Sequence, residues 1–316
     1  MRGNNNPIRL YESELRPENL NPRGFMETIH LGSWEEFEDK LKKDKEETPN
    51  KDLYGKPYGS VSPLLFRGQA DANWILETTL ERECRERGLF QEWPWELYIK
   101  VLDKVRPAFT SQINKQYDSP RRDYKIIPCP HPPPGYNLMI DLRHHNFPSP
   151  LLDWTKNYHI AAYFAFEKEP QSDRVAIYSF RDFAGYQKTS DSFGPWIWVP
   201  EAYGRENQHP RHDSQQAKHT ICYKTVKEGS DEKPKGNVYC VHEKASFGSQ
   251  QDILLKYTLP VDIRNEVLNK LRNIDINDSI LFVQNGDLSV SQRATEILKK
   301  ETDRIFKGAF LETLKE

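Results

Sequence analysis

Leu151-Leu152-Asp153-Trp154-Thr155, followed by Tyr158-His159-Ile160-Ala161-Ala162-Tyr163-Phe164-Ala165-Phe166, is the stretch on which the fold turns. Asp153 or Thr155 can cap a helix through residues 158–166, since a side-chain oxygen there satisfies an otherwise unpaired first-turn N–H. That helix is apolar on most sides, so it belongs inside the molecule. Its three alanines allow a sheet to approach closely.

Strands to cover such a helix are read on both sides of it. Upstream, Pro63-Leu64-Leu65-Phe66 predicts a short buried strand delivering Arg67 and Gly68 at its end. Downstream, Val175-Ala176-Ile177-Tyr178 and the alternation Ile253, Leu255, Tyr257, Leu259, stopped by Pro260, read as further strands. Residues 225–238 read as an exposed hairpin or insertion. Ser33-Trp34-Glu35-Glu36 has capping-box spacing, and Trp34, Phe37 and Leu41 share one face of the helix that follows. Leu97, Tyr98, Val101, Leu102 and Val105 mark another helix, with Pro94 near its start and Pro107 expected to stop it. Val267, Leu268 and Leu271 form a later helical stripe, and a last helix is read around Ala294, Ile297 and Leu298. The proline run from Pro128 to Pro134 predicts an extended loop inside a single domain. Strands and helices so interspersed make an α+β domain. The division expected is a polar arm over residues 1–32, the domain proper over 33–300 and a helical tail over 301–316.

Composition narrows the functional classes. The chain's 316 residues can bury a core without staples, and fifteen Phe, fifteen Tyr and seven Trp supply it. Forty-five basic residues against 47 acidic leave a formal charge of -2, so any polyanion site must be local. The four cysteines form no Cys-x-x-Cys pair, which speaks against a zinc ribbon and for reduced thiols in a cytoplasm. No stretch approaches the roughly 20 apolar residues of a membrane span. The expectation is a cytoplasmic protein without a membrane partner.

Three polar clusters carry the chemistry. A guanidinium such as Arg67, followed by Gly68 with no Cβ to obstruct a ligand, is suited to gripping a phosphate, and Gln69 adds an amide. The competing reading makes Arg67 an internal salt-bridge partner. The second cluster runs Arg143-His144-His145-Asn146-Phe147 and on to Asp153-Trp154-Thr155. Adjacent His144 and His145 point apart, so no metal is expected. The third spans Gln208 to Thr220, with Arg211, Gln215 and Gln216. It is either a solvated loop or a polar strand end facing the pocket of Arg67.

In order, spacing and residue type these clusters resemble the FRG domain family. Phe66-Arg67-Gly68-Gln69 with Trp74-Ile75-Leu76 is similar to its opening signature. His144-His145, Leu151 to Thr155 and Ala161 to Phe166 are similar to its centre. Pro210-Arg211, Gln215-Gln216 and Thr220 are similar to its weaker C-terminal pattern. The resemblance covers about residues 33–300. A weaker one, to ADP-ribosyltransferases, implies a central mixed or antiparallel split sheet flanked by helices. It also implies NAD as the nucleotide, with Arg67, Asp153, Thr155 and Gln216 in catalytic roles. Arg67, Gly68, Gln69, His144, His145, Trp154, Arg211 and Gln215 would then hold the nucleotide. The departure is that no Glu stands beside Gln216, which leaves Glu206, Glu243 or Asp153 to supply a carboxylate. Together the two resemblances imply an effector of the toxin or antiphage type, with a protein or nucleic-acid acceptor and an antitoxin or defence partner. The competitors are a nucleotide- or RNA-sensing module without chemistry, a metal-independent nuclease using His144 or His145 as general acid or base, and a structural partner-binding domain.

Overall fold

Arg67 lies in the middle of a strand rather than at its end. The computed structural model describes residues 26–47, 64–89, 93–113, 115–117, 132–182, 195–200, 210–228, 233–242, 245, 252–282 and 288–306. The strands are β1 (Met26–His30), β2 (Leu65–Gln69), β3 (Trp93–Pro94), β4 (Leu151–Thr155), β5 (Arg174–Asp182), β6 (Trp196–Trp198), β7 (Ala217–Glu228), β8 (Lys233–Tyr239) and β9 (Asp252–Pro260). The helices are α1 (Trp34–Glu47), α2 (Thr79–Glu86), α3 (Trp95–Ile113), α4 (Tyr136–His144), α5 (Tyr158–Phe166), α6 (Pro210–Ser214), α7 (Arg264–Arg272), α8 (Asp278–Leu281) and α9 (Leu288–Phe306).

The strands form one open mixed sheet in the order β1-β9-β5-β2-β4-β7-β8-β3, with β6 pairing β7. Among the described strands only β1 and β9 run parallel; the other pairings are antiparallel. The sheet is narrowest in the middle. β2 pairs with β5 at five positions, from Leu65↔Phe180 to Gln69↔Ala176, but meets β4 at the single pair Phe66↔Thr155. Two half-sheets therefore share one seam.

Strand alternation distributes the core to both faces. Leu65, Leu152, Trp154, Tyr178 and Phe180 fill one face across the seam. On the other face, Phe66, Ile177 and Tyr257 pack under α1, α5 and α7, while Leu151, Ile221 and Tyr223 pack under α3, α4 and α9. Fully burying a Phe such as Phe66 or Phe166 contributes roughly 2–3 kcal/mol.

Helix α5 is the buried helix expected, and the alanines explain how it fits. A Cβ on Gly68 would lie 1.8 Å from the Ala161 carbonyl oxygen and 2.7 Å from the Ala165 nitrogen. The glycine thus opens room for a helix behind the sheet, not for a ligand in front of it. The cap is neither Asp153 nor Thr155, both in β4; Asn157 Oδ1 accepts from His159 N at 2.9 Å, and Thr155 Oγ1 accepts from Asn157 N at 3.1 Å. Asp153 is left for other work.

Other expectations shift for physical reasons. Helix α3 runs through Pro107 to Ile113. Val105 and Phe109 on either side are fully buried, and that packing outweighs the lost N–H and ring clash, worth about 3 kcal/mol. Residues 26–30 of the expected polar arm form the edge strand, paired along β9 from Met26↔Leu254 to His30↔Thr258. The 225–238 hairpin is part of the sheet, with Thr225 opposite Asn237. Helix α9 crosses residue 300 without a break and buries Ile305 and Phe306, so those residues belong to the core. The proline run lies outside the described residues, and no helix among them is long and apolar enough to cross a membrane.

Candidate functional site

The seam opens into a cavity of about 1100 Å³, just above the roughly 300–1,000 Å³ common for small-molecule sites. Arg67, Gly68 and Gln69 from β2 line it, as do Asp153, Trp154 and Thr155 from β4, His144 at the end of α4, and Arg211 and Gln215 around α6. These residues come from three distant parts of the chain. The sheet brings them together because the two half-sheets part where β2 and β4 meet.

Arg67 donates from Nη1 to the Asp153 carbonyl oxygen at 2.9 Å, across the seam. Its Nε is buried and has no partner among the described residues. Burial lowers its pKa and Asp153 opposes that shift, yet a guanidinium stays charged under any ordinary condition. An unpaired N–H on a desolvated cation is costly unless a ligand accepts from it.

The carboxylate of Asp153 projects from the opposite side of the seam. Arg143 donates to it from Nε to Oδ1 at 2.9 Å and from Nη2 to Oδ2. His219 Nε2 stands 3.4 Å from Oδ1, because His219 is the cross-strand partner of Asp153. Burial would raise the carboxyl, but Arg143, His219 and Arg67 together bring it down to about 2. Its side chain is still 50% exposed, and the cavity is what it faces. Asp153 is thus an ionised carboxylate, held in direction and open to a ligand.

Helix α4 supplies the rest of this network. Tyr136 and Arg143 are seven residues apart, two helical turns, and so share one face. Arg143 also donates to the Leu151 carbonyl at 2.7 Å, while the Tyr136 hydroxyl lies 3.3 Å from His219 Nδ1. Burial pushes the His219 imidazole down to about 3 against the pull of Asp153, leaving it neutral.

Two of the expected site residues are elsewhere. The His145 ring packs against Phe109 at 5.2 Å and its Nδ1 lies 3.3 Å from Thr295 Oγ1; it does not line the cavity, and burial lowers its pKa. Gln216 is exposed at a turn with φ of 46°, where its carbonyl accepts from Lys156 N at 3.1 Å, and it does not line the cavity either. The His144–His145 pair is therefore split: His144 lines the cavity, as does His219, whereas His145 does not. Glu206 and Glu243 lie outside the described residues. Arg143 and His219 stood in the second and third clusters with no role given to them, and Tyr136 lay outside both, in helix α4 just after the proline run.

The rim carries more charge. Glu77 accepts from Arg85 Nε at 2.8 Å and Arg82 Nε at 3.3 Å, so one carboxylate answers two guanidiniums, all three lining the cavity. Among the described residues no group of three or more His, Cys, Asp or Glu is placed to hold a metal.

Residues 62–174 match the FRG domain. The match takes in Arg67, Arg143 and Asp153 but ends before Arg211, Gln215 and His219. No curated protein and no solved structure matches the chain.

Proposed function

We propose that the cavity binds a phosphorylated nucleotide and that its substrate is NAD, cleaved at the bond between nicotinamide and ribose. The observation that carries this reading is the pairing, in one cavity, of a guanidinium with an unpaired Nε and a carboxylate kept ionised and facing inward. Arg67 takes the pyrophosphate, where its charge and fixed donors match the anion. Asp153 faces the ribose, where positive charge develops as the glycosidic bond breaks. Nicotinamide leaves with the bonding pair, a nucleophilic oxygen or nitrogen bonds to C1′, and its proton passes to solvent. The open, mixed sheet pinched at a central seam agrees with the ADP-ribosyltransferase likeness. The acceptor is a protein, a nucleic acid or water, and the effect of such chemistry in a cytoplasm is that of a toxin or antiphage effector, held in check by an antitoxin or defence partner.

NAD consumption and labelling with a cell lysate test the proposal. Asp153→Asn should slow turnover about a hundredfold, the scale of one electrostatic group aimed at a transition state, with NAD affinity changed only a few fold. Arg67→Ala and Arg67→Lys should both lose NAD affinity. Intact NAD after prolonged incubation of the wild-type protein with lysate would overturn the enzymatic reading.

One observation favours a second reading. Arg143 grips both oxygens of Asp153 and so offsets much of its charge, as suits a module that senses a nucleotide without turning it over. Saturable NAD binding with no product would select that reading.

A further inference from the structure

We propose that Trp74 is the stacking platform for the planar base of the bound nucleotide, with Gln69 Oε1 accepting a hydrogen bond from it. The inference rests on reading the cavity as a nucleotide pocket and deepens it.

Of the chain's seven tryptophans, six are between 1% and 9% exposed, whereas Trp74 is 42% exposed, with Ile75 beside it at 40%. Both line the cavity. An isolated exposed apolar side chain means little, but two together at the rim of a polar cavity mark a binding surface. The loop that presents them is held firmly. Ala72 N donates to the Arg174 carbonyl at 2.9 Å, and Asn73 N donates to Asp71 Oδ1 at 2.8 Å. The Trp74 carbonyl accepts from Tyr178 at 3.2 Å, and Tyr178 is the cross-strand partner of Arg67. The Ile75 carbonyl accepts from Gln69 Nε2 at 3.1 Å. An indole on a backbone tied to both neighbours of the phosphate grip is preorganised, and stacking on it costs little ordering entropy.

Gln69 adds an independent sign of a ligand. Its side chain lines the cavity, is 6% exposed, and its Oε1 has no donor among the described residues. With Nε2 committed to Ile75, that oxygen suits an exocyclic amino group or ring N–H. Adenine has such a group, and a base-free phosphate does not.

Titration calorimetry with ADP and with inorganic pyrophosphate separates the inference from the reading beneath it. Trp74→Ala should weaken ADP about tenfold or more, the scale of one base–aromatic stack, and leave pyrophosphate within about twofold; Trp74→Phe should restore most of the loss. Wild type binding both ligands, with ADP affinity unchanged in Trp74→Ala, would sink the stacking role and leave the pocket standing. Equal weakening of both ligands by Trp74→Ala would also overturn it, since the damage would then lie in the loop. Failure of wild type to bind either ligand would remove the nucleotide pocket and this inference together.

Discussion

Two histidine–carboxylate pairs sit on opposite faces of the same strand pair and have opposite fates. On one face His219 approaches Asp153 at 3.4 Å, and the carboxylate is half exposed to the cavity. On the other, His242 Nδ1 lies 3.2 Å from Glu81 Oε1, with side chains 0% and 7% exposed. That closed pair belongs to a satisfied chain. Thr220 Oγ1 lies 3.1 Å from His242 Nε2, Trp154 Nε1 donates to Thr220 at 2.8 Å, and Glu81 Oε2 accepts from Thr78 N at 2.7 Å in the capping box of α2. The open pair has a third partner, Arg143, and spare lone pairs. A histidine beside a carboxylate is thus no mark of function; what distinguishes the two is whether every hydrogen-bonding position is already taken.

Substitutions sharpen that contrast. The largest effect should come from Arg143→Ala, which strips Asp153 of its bidentate partner and the Leu151 carbonyl of a donor. A loss of about 3 kcal/mol is expected, from the charge-assisted hydrogen bonds that the largely buried Arg143 makes to Asp153 and Leu151. Urea denaturation measures it, and nucleotide affinity should fall in parallel. Glu81→Ala should cost about 2 kcal/mol, from the lost cap and from His242 left with an unpaired nitrogen. Its nucleotide affinity should match wild type; a large drop in binding would show that the closed pair is not merely structural.

The smallest effect is a pH dependence. With His219 held down to about 3 against an ordinary value of 6.5, the unfolded chain takes up a proton below pH 6.5 that the folded chain refuses. Stability therefore falls as pH falls, with a slope from this residue that steepens below pH 6.5 toward about 1.4 kcal/mol per pH unit. Asp153, at about 2 when folded, remains ionised in both states until pH approaches 4, so it does not contribute between pH 5.5 and 7. Replacing His219 by Gln should flatten the stability profile over that interval by about 1 kcal/mol. An unchanged slope would mean that His219 is protonated in the folded protein.

Much of the frame was legible because the signals were local. Trp34, Phe37 and Leu41 predicted α1, and all three are buried. The alternation ending at Pro260 predicted β9, and the apolar run from Tyr158 to Phe166 predicted α5. The errors fell where tertiary contacts outweighed local chemistry. Pro107 did not end its helix, and Met26–His30 joined the sheet although the surrounding sequence is polar, because an edge strand needs only backbone partners. Gly68 was read for its ligand side, whereas the close contact that demands it is with Ala161 and Ala165 behind the sheet.

By itself the sequence determined an α+β domain with one buried, alanine-rich helix, and picked out Arg67 and Asp153 as residues worth following; short-range periodicity and residue chemistry suffice for that. Only the tertiary structure decided that Arg67, Asp153, Arg211 and Gln215 line one cavity while His145 and Gln216 do not. It also decided that Arg143, His219 and Tyr136 complete the network. Neighbours in sequence, such as His144 and His145 or Gln215 and Gln216, point in different directions along the backbone. Residues more than sixty positions apart meet because antiparallel pairing sets Asp153 opposite His219.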